Sequence, residues 1–482
     1  MESNRVARAF VSGEMFRGFE VILRGRDPLD AQHITQRICG VCPVEHGVAS
    51  VLAQEMAYKL APAENGRIAR NLIQGVNFIM SGMTHFYLLS GLDFVDVAMI
   101  TGYQGKDHAL LALQAWVKSQ LSSGQVYPAA PFLPRYAAKY LQDQDANFGA
   151  LKHYLDALEL RAVAHQMSAV FAGKMPHAAT LVPGGITDKI SALKIAQFKS
   201  MLERVSDFIE ESYLPDVIAV AKAFPDYFAL GQGCGNFLAY GAFAESADGK
   251  AKLLPAGLLV GGKLQPLDPE AITEDVSQSF FASASGRKPA DGETTAASDK
   301  AGAYSWLKAP RYQSQVMEVG PLARVLVAYH DGSNPALKQA TDGLLKALGR
   351  EPKDLVSVMG RHAARALECK LLADRCAQWV DQLVPGAPAF NDFEVPESGQ
   401  GFGLTEAARG ALGHWLEIRG HKISNYQCVV PTTWNCSPRD DRGVAGPMEQ
   451  ALVGTPVADP ENPIEAVRVV RSFDPCLACA VH

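Results

Sequence analysis

A mainly α protein with small β elements, an α+β fold built around a bundle of long helices, is predicted for this 482-residue chain. Three observations predict it. Several long segments carry apolar residues at three- and four-residue spacing, the period of a helix with one buried face. Between them lie Gly-, Pro- and Ser-rich stretches with only short alternating runs. Two Cys-x-x-Cys pairs, Cys39 with Cys42 and Cys476 with Cys479, stand near opposite ends of the chain and call for a fold that unites them.

In chain order, the segment from Cys42 to about Leu92 reads as helical. Its run NLIQGVNFIM is too evenly apolar for a surface helix and should be buried. Ala150 to Val170 and Ile190 to Ala223 read as long helices, as do Asn334 to Leu348 and Asp354 to Leu383. Leu230 to Ala301 is a long excursion in which GLLVGGKLQPL suggests strands. From Asn425 onward, NYQCVVPTTWNCSPRDD predicts one short strand and then irregular backbone, where sites are often built. No internal repeat or low-complexity tract divides the chain, so residues 1–482 are read as one domain.

Composition narrows the function classes. With 48% hydrophobic residues, 20% charged residues and a net charge of −6, the chain has the profile of an ordered globular protein and no basic stripe for a phosphate backbone, which excludes nucleic acid. No run of about 18 apolar residues exists, so no transmembrane helix is expected. The start, MESNRVARAF, lacks the basic patch and apolar stretch of a secretory signal, so the protein stays in the cytoplasm or a partner carries its export signal.

Nine cysteines are too few for a disulfide scaffold at this length. Cys234, Cys369, Cys376, Cys428 and Cys436 stand outside the pairs and read as small buried hydrophobes. The pairs lie in RICGVCPVEH, Arg37 to His46, and DPCLACAVH, Asp474 to His482. A Cys-x-x-Cys turn sets two thiolates on one side of a tight loop, and two such turns offer four sulfurs, which suit zinc, an iron-sulfur cluster or nickel. A zinc ribbon draws both pairs from one small module, with knuckles about 15 to 20 residues apart. Here almost the whole chain separates them, which favours a catalytic centre. A thioredoxin-like redox pair explains one Cys-x-x-Cys and not two.

Further blocks share a pattern with these two motifs. MFRGFEVILRGRDPLDAQHITQRICGVC, HFYLLSGLDF, GKMPHAATLVPGG, KAPRY with MEVGPLAR, GFGLTEAARGALGHW, and NYQCVVPTTWN with SPRDD follow one another along nearly the whole chain. The ordered set resembles the large, catalytic subunit of nickel-iron hydrogenases, which interconvert hydrogen with protons and electrons, and within them the uptake-type members of the membrane-associated periplasmic group. The resemblance implies that family's large-subunit fold, in which the N- and C-terminal Cys-x-x-Cys loops meet at a buried metal site.

It also implies roles for individual residues. Cys39 and Cys476 would be terminal nickel ligands, and Cys42 and Cys479 would bridge nickel to an iron carrying carbon monoxide and cyanide. Hydrogen would be split heterolytically, with the proton passing first to a terminal thiolate, Cys476. In a selenium-containing branch this position is selenocysteine, so the chain is a sulfur member or a cysteine version of that branch. Arg409 would hang its guanidinium over the metals, with thiolates, cyanide and Asp474 as anionic partners; a surface arginine in a Gly-rich turn is the alternative. Pro431 and Thr432 would line the diatomic ligands, Thr432 donating to cyanide, unless they form an ordinary turn. His46 would donate to a bridging sulfur or be a satisfied core histidine. Glu20, His482 and the backbone carbonyl of Cys428 would hold magnesium or a similar divalent ion. Because the family's precursor is clipped after this histidine once nickel is in place, the chain is expected to end as a mature form, or as one encoded without the extension.

Three departures accompany the resemblance. The family's RxEGH strand, whose glutamate relays protons from the nickel-bound cysteine, precedes the MFRG block and is not in this sequence, so either the sequence is truncated at its start, the favoured expectation, or protons leave by another route. Ser81 stands where an aspartate is frequent, which is expected to remove one partner of Arg409, and Ala408 stands where proline commonly precedes that arginine. The five remaining cysteines form no cluster motif, so electrons are expected to leave through an iron-sulfur small subunit. This obligate partner would dock near the first Cys-x-x-Cys over at least about 2,000 Å². A membrane cytochrome b or a cytochrome c is the expected acceptor, and the periplasmic side of the membrane the expected place, with the cytoplasm second. Other functions remain open: a hydrogen sensor of low turnover would keep all four cysteines, a structural subunit of a respiratory complex would have lost them, and a structural zinc protein would contain no nickel.

Overall fold

The computed structural model describes residues 4–123 and 138–482. Its body is a set of long helices, labelled α1 to α6, against which one twisted three-stranded sheet, β1 to β3, is laid. Helix α1 is Pro43–Tyr58 and α2 is Glu64–Thr84. The single helix expected from Cys42 to Leu92 is therefore two. Lys59 ends α1 in the left-handed region at φ 57°, and Pro62 follows, so the chain turns before α2 begins. The NLIQGVNFIM run lies in α2 and is buried throughout. Beyond Thr84 the helix widens into a π turn, His85–Ser90.

Helix α3, Gln144–Ala172, contains the stretch expected from Ala150. Helix α4, Ala192–Phe208, runs through a second π turn, Ile209–Tyr213, into Leu214–Ala223, so the long helix expected there is one element with a bulge. The two π turns pack on each other: the Tyr213 ring lies 5.6 Å from Phe86 and 5.9 Å from Tyr87. The excursion from Leu230 forms small antiparallel sheets, one of which joins Phe237–Ala239, Gly257–Val260 and Lys263–Gln265. Helix α5, Pro321–Asp331, has no counterpart among the expected helices; Pro335–Leu348 and α6, Val358–Gln382, do.

Helices α2 and α6 cross at small residues. A Cβ on Gly82 would sit 2.4 Å from the Cys369 sulfur and one on Gly75 3.0 Å from the Cys376 sulfur, so these two cysteines are packing residues opposite glycines. Cys428 and Cys436 are buried as well, and Cys234 is half-buried in a loop.

The sheet consists of β1, Ser398–Ala407, β2, Gly410–Arg419, and β3, Lys422–Val429, antiparallel and in that order. Glycine at alternate positions of β1 puts Gly399, Gly401 and Gly403 on one face, and α1 lies against that face. Cβ atoms there would meet the carbonyl oxygens of Ala57, Ala53 and Ala49 at 3.0, 2.2 and 1.9 Å. The glycines thus let a helix backbone rest on a strand. After β3 the tail is more ordered than its composition suggests: Pro431–Asn435, Pro447–Leu452, Ile464–Ser472 and Leu477–Ala480 are short helices. No helix among the described residues is long and apolar enough to cross a membrane.

Candidate metal centre

The first pair of cysteines sits where the 3-10 turn Gln36–Ile38 gives way to α1. Cys39 caps that turn, and Cys42 precedes Pro43, whose fixed φ suits the first position of a helix. The Cys39 sulfur accepts the backbone N–H groups of Val41 and Cys42 at 3.2 and 3.4 Å. The second pair brackets the final helix, with Cys476 as its N-cap and Cys479 inside it. Arg17 binds the two loops together. Its Nη2 donates to the carbonyls of Ile38, at 2.6 Å, and Ala478, and its Nε to that of Val481 at 3.1 Å.

The result is a cluster of four buried, unbridged sulfurs within 4.8 Å of one another. Cys39 Sγ is 3.4 Å from Cys476 Sγ, Cys42 Sγ 3.1 Å from Cys479 Sγ, and Cys476 Sγ 3.2 Å from Cys479 Sγ. Crowded thiols do not titrate alike. Hydrogen bonds from Cys42, Cys476 and Cys479 hold Cys39 far below the usual thiol range, while pairing with Cys39 pushes Cys42 and Cys479 up. Four crowded, buried sulfurs with no disulfide among them suit soft metal cations.

Arg409 lies over this cluster at the tip of the β1–β2 hairpin, where Ala407 pairs with Gly410 and only Ala408 and Arg409 make the turn. Close approach of Val319 and Gly320 leaves no room for a side chain at Gly410, which adopts φ 137°. The guanidinium is buried. Its Nη2 lies 3.0 Å from Asp474 Oδ1 and its Nη1 donates to Ser81 Oγ at 3.4 Å, while Nε has no acceptor among the described residues. The surface-arginine alternative therefore fails. Ser81 does not remove a partner of Arg409 as expected, because its hydroxyl oxygen still reaches the guanidinium and only the carboxylate charge is gone.

Pro431 is the first residue of a short helix, and Thr432 follows with its Oγ1 accepting the backbone N–H of Cys476 at 3.0 Å. The hydroxyl keeps its own proton for another acceptor. His46 is fully buried in α1, with Nε2 3.5 Å from Cys479 Sγ. Soft sulfur donors, an unpaired guanidinium N–H and a free hydroxyl proton together fit a thiolate-bound metal group that carries hydrogen-bond-accepting ligands of its own.

A nickel-dependent hydrogenase family model matches residues 17–482. The chain belongs to the nickel-dependent hydrogenases. It is similar to the periplasmic NiFeSe hydrogenase large subunit of Desulfomicrobium baculatum, with 43% identity over all of this chain and 91% of that one. It is similar also to the uptake hydrogenase large subunit of Bradyrhizobium diazoefficiens, with 36% identity over 99% of this chain and 91% of that one. The solved Ni-Fe-Se hydrogenase of D. vulgaris Hildenborough superposes with a TM-score of 0.88 at 40% identity, covering all of this chain and 95% of that one. The chain is thus the catalytic large subunit of a nickel-iron hydrogenase, an oxidoreductase acting on hydrogen, with cysteine at all four cluster positions.

In this hydrogenase the residues expected to hold a divalent ion also come together. Glu20 Oε1 is 3.6 Å from His482 Nε2 and accepts the Cys428 backbone N–H at 2.8 Å. Lys308 was not foreseen there. Its Nζ is 3.3 Å from Glu20 Oε2 and 2.9 Å from Gln427 Oε1, so Glu20 already has a cationic partner. Glu20 consequently ionises far below the usual carboxylate range despite its burial.

Other residues of the hydrogenase site escaped the sequence reading. Glu45 lies within RICGVCPVEH itself; it is fully buried, accepts from Asn77 Nδ2 at 2.8 and 3.0 Å, and burial pushes its carboxyl to about 8. Arg365 on α6 stands behind Asp474 and helps compensate its charge. Arg324 on α5 is bonded to Glu368 and Glu406 and donates to the carbonyls of Ala407 and Ala408 below Arg409. The one available signal was charged residues on the buried faces of otherwise apolar helices.

Proposed function

We propose that this subunit cleaves hydrogen reversibly and heterolytically at the four-sulfur site, with Cys39 and Cys476 as terminal nickel ligands and Cys42 and Cys479 bridging nickel to an iron bearing carbon monoxide and cyanide. Four free buried sulfurs under a guanidinium with an unpaired Nε carry this reading. The bound metal pair supplies a two-electron centre that polarises hydrogen. The protein's part is electrostatic and protonic. Cys476 Sγ, which lies between the sulfurs of Cys39 and Cys479, takes the proton. Arg409, kept charged and aimed by Asp474, offsets the negative charge of thiolates and cyanide where water is excluded. With the metal group bound, Thr432 would donate its free proton to cyanide, Pro431 would line the diatomic ligands, and His46 would donate to the Cys479 sulfur.

Glu20, His482 and the Cys428 carbonyl hold magnesium or a similar ion, with Lys308 sharing Glu20. Electrons leave through an iron-sulfur small subunit in an obligate heterodimer, and from there to a cytochrome b or c. The pair works on the periplasmic side of the membrane, exported on the small subunit's signal. The named periplasmic relative supports that location.

The test is metal analysis with an infrared spectrum of the purified heterodimer, in the window where metal-bound carbon monoxide and cyanide stretch. Nickel and iron in equal amounts, with those bands, is the expected result. Zinc alone and a silent window, with maturation factors present, would overturn it.

A further inference from the structure

Behind the bridging cysteine and the His46 that donates to it lies a row of buried polar groups that the function proposed above does not use. His46 Nε2 faces Cys479 Sγ at 3.5 Å, and His46 Nδ1 lies 3.2 Å from His414 Nε2. His414 Nδ1 lies 2.8 Å from the Tyr426 hydroxyl. The Ser50 hydroxyl stands against Tyr426 and accepts from Gln54 Nε2 at 3.2 Å. His46 comes from α1, His414 from β2 and Tyr426 from β3, and all three are fully buried.

We infer that this row is a one-way chain of hydrogen bonds in which Tyr426 and His414 act as positioning residues, fixing the His46 tautomer so that its Nε2–H donates to the Cys479 sulfur. The inference rests on Cys479 being a metal-bound thiolate. Such a sulfur has no proton to give, so the contact with His46 is a hydrogen bond only if Nε2 carries the hydrogen. Both rings are fully buried and no carboxylate is among their hydrogen-bond partners, so neither has a counter-ion for a second proton and each ring has one N–H. His46 Nδ1 is then an acceptor, and His414 must offer Nε2–H to it. His414 Nδ1 becomes an acceptor in turn, and Tyr426 donates its hydroxyl proton there.

The far end agrees. Gln54 spends its amide hydrogens on Ser50 Oγ and on Gln32 Oε1, at 3.0 Å, which leaves the Ser50 proton free for the Tyr426 oxygen. Every donor points toward the sulfur. The reverse order would set the His46 lone pair against the thiolate. A hydrogen bond to a bridging sulfur withdraws electron density from both metals, so this chain tunes the centre from three residues away.

Two measurements on the heterodimer test this. In Tyr426→Phe, which removes one hydroxyl, and in His414→Phe, the His46 tautomer is released. With nickel and iron content unchanged, the carbon monoxide and cyanide bands should move to lower wavenumber, because the sulfur regains electron density. His414→Gln, whose amide N–H can still serve His46 Nδ1, should restore the wild-type position. Neutron diffraction of wild-type crystals should place hydrogen on His46 Nε2 and His414 Nε2. Bands unmoved in both Phe variants, or hydrogen on His46 Nδ1, would overturn the inference while leaving the metal site intact. Absence of the bands in the wild type would overturn both.

Discussion

Arg17 Nε donates to the carbonyl oxygen of Val481 at 3.1 Å, across 464 positions of sequence. The same guanidinium reaches Ile38 beside the first cysteine pair, so one side chain ties together the two loops that carry all four sulfurs. Arg17→Met should cost roughly 1.5–3 kcal/mol for each charge-assisted bond left unmade, and the loss should fall on the cysteine loops. Nickel per heterodimer should drop well below one equivalent, while secondary structure measured by circular dichroism stays unchanged. Full nickel loading would show that the clamp is dispensable.

Arg324 should be critical in a different way. Its guanidinium bonds Glu368 at 2.6 and 2.7 Å and Glu406 at 2.8 Å, in a site without solvent. Arg324→Met strands two buried carboxylates, an effect of about 3–5 kcal/mol. It also frees the carbonyls on which the Arg409 turn rests. Denaturant unfolding should report the stability loss, and activity per bound nickel should fall with it.

Replacing Arg409 by lysine keeps a charge and loses the planar fork that meets Asp474 and Ser81 together. Hydrogen oxidation should fall by about 100-fold or more, with nickel and iron content unchanged. An active, fully loaded variant would count against a role for the guanidinium in the reaction.

Gly403 faces the Ala49 carbonyl so closely that a Cβ would lie 1.9 Å from it. Gly403→Ala must push α1 off β1, and α1 begins at Cys42. Destabilisation of about 3 kcal/mol is expected, together with loss of metal loading. Thermal unfolding and metal analysis on one preparation check both.

Glu45 gives a pH signature. Its folded-state value, about 8, lies above its ordinary 4.5, so between those values the folded chain keeps a proton that the unfolded chain releases. Folding stability therefore falls as pH rises through this window and levels off above it. Infrared difference spectra between pH 6 and pH 9 should show a protonated carboxyl band lost at the higher pH and absent from Glu45→Gln. The variant should also flatten the stability profile.

How much was legible in the sequence follows from the reach of each signal. Buried long helices announce themselves by local periodicity, and α2, α3, α4 and α6 fell close to where that pattern put them. The strands β1 and β2 did not, because Gly399, Gly401 and Gly403 are poor strand formers selected by the nearness of α1, a contact absent from any local window. The helices of the tail, four to nine residues long, are too short for a periodic pattern to emerge.

The sequence by itself determined the donor chemistry: four cysteines in two Cys-x-x-Cys turns, and the ordered blocks around them that mark a hydrogenase. Thiolate softness and turn geometry are properties of a few adjacent residues, so they survive in a linear reading. Tertiary structure alone decided what surrounds those sulfurs. Arg17 joins the loops, Arg324 supports Arg409 from residues 44 and 82 positions from its own carboxylate partners, and Tyr426 reaches His46 through His414. The physical reason is desolvation: a buried charge or imidazole must find its partner wherever the fold brings one, and that partner is set by packing and not by sequence distance.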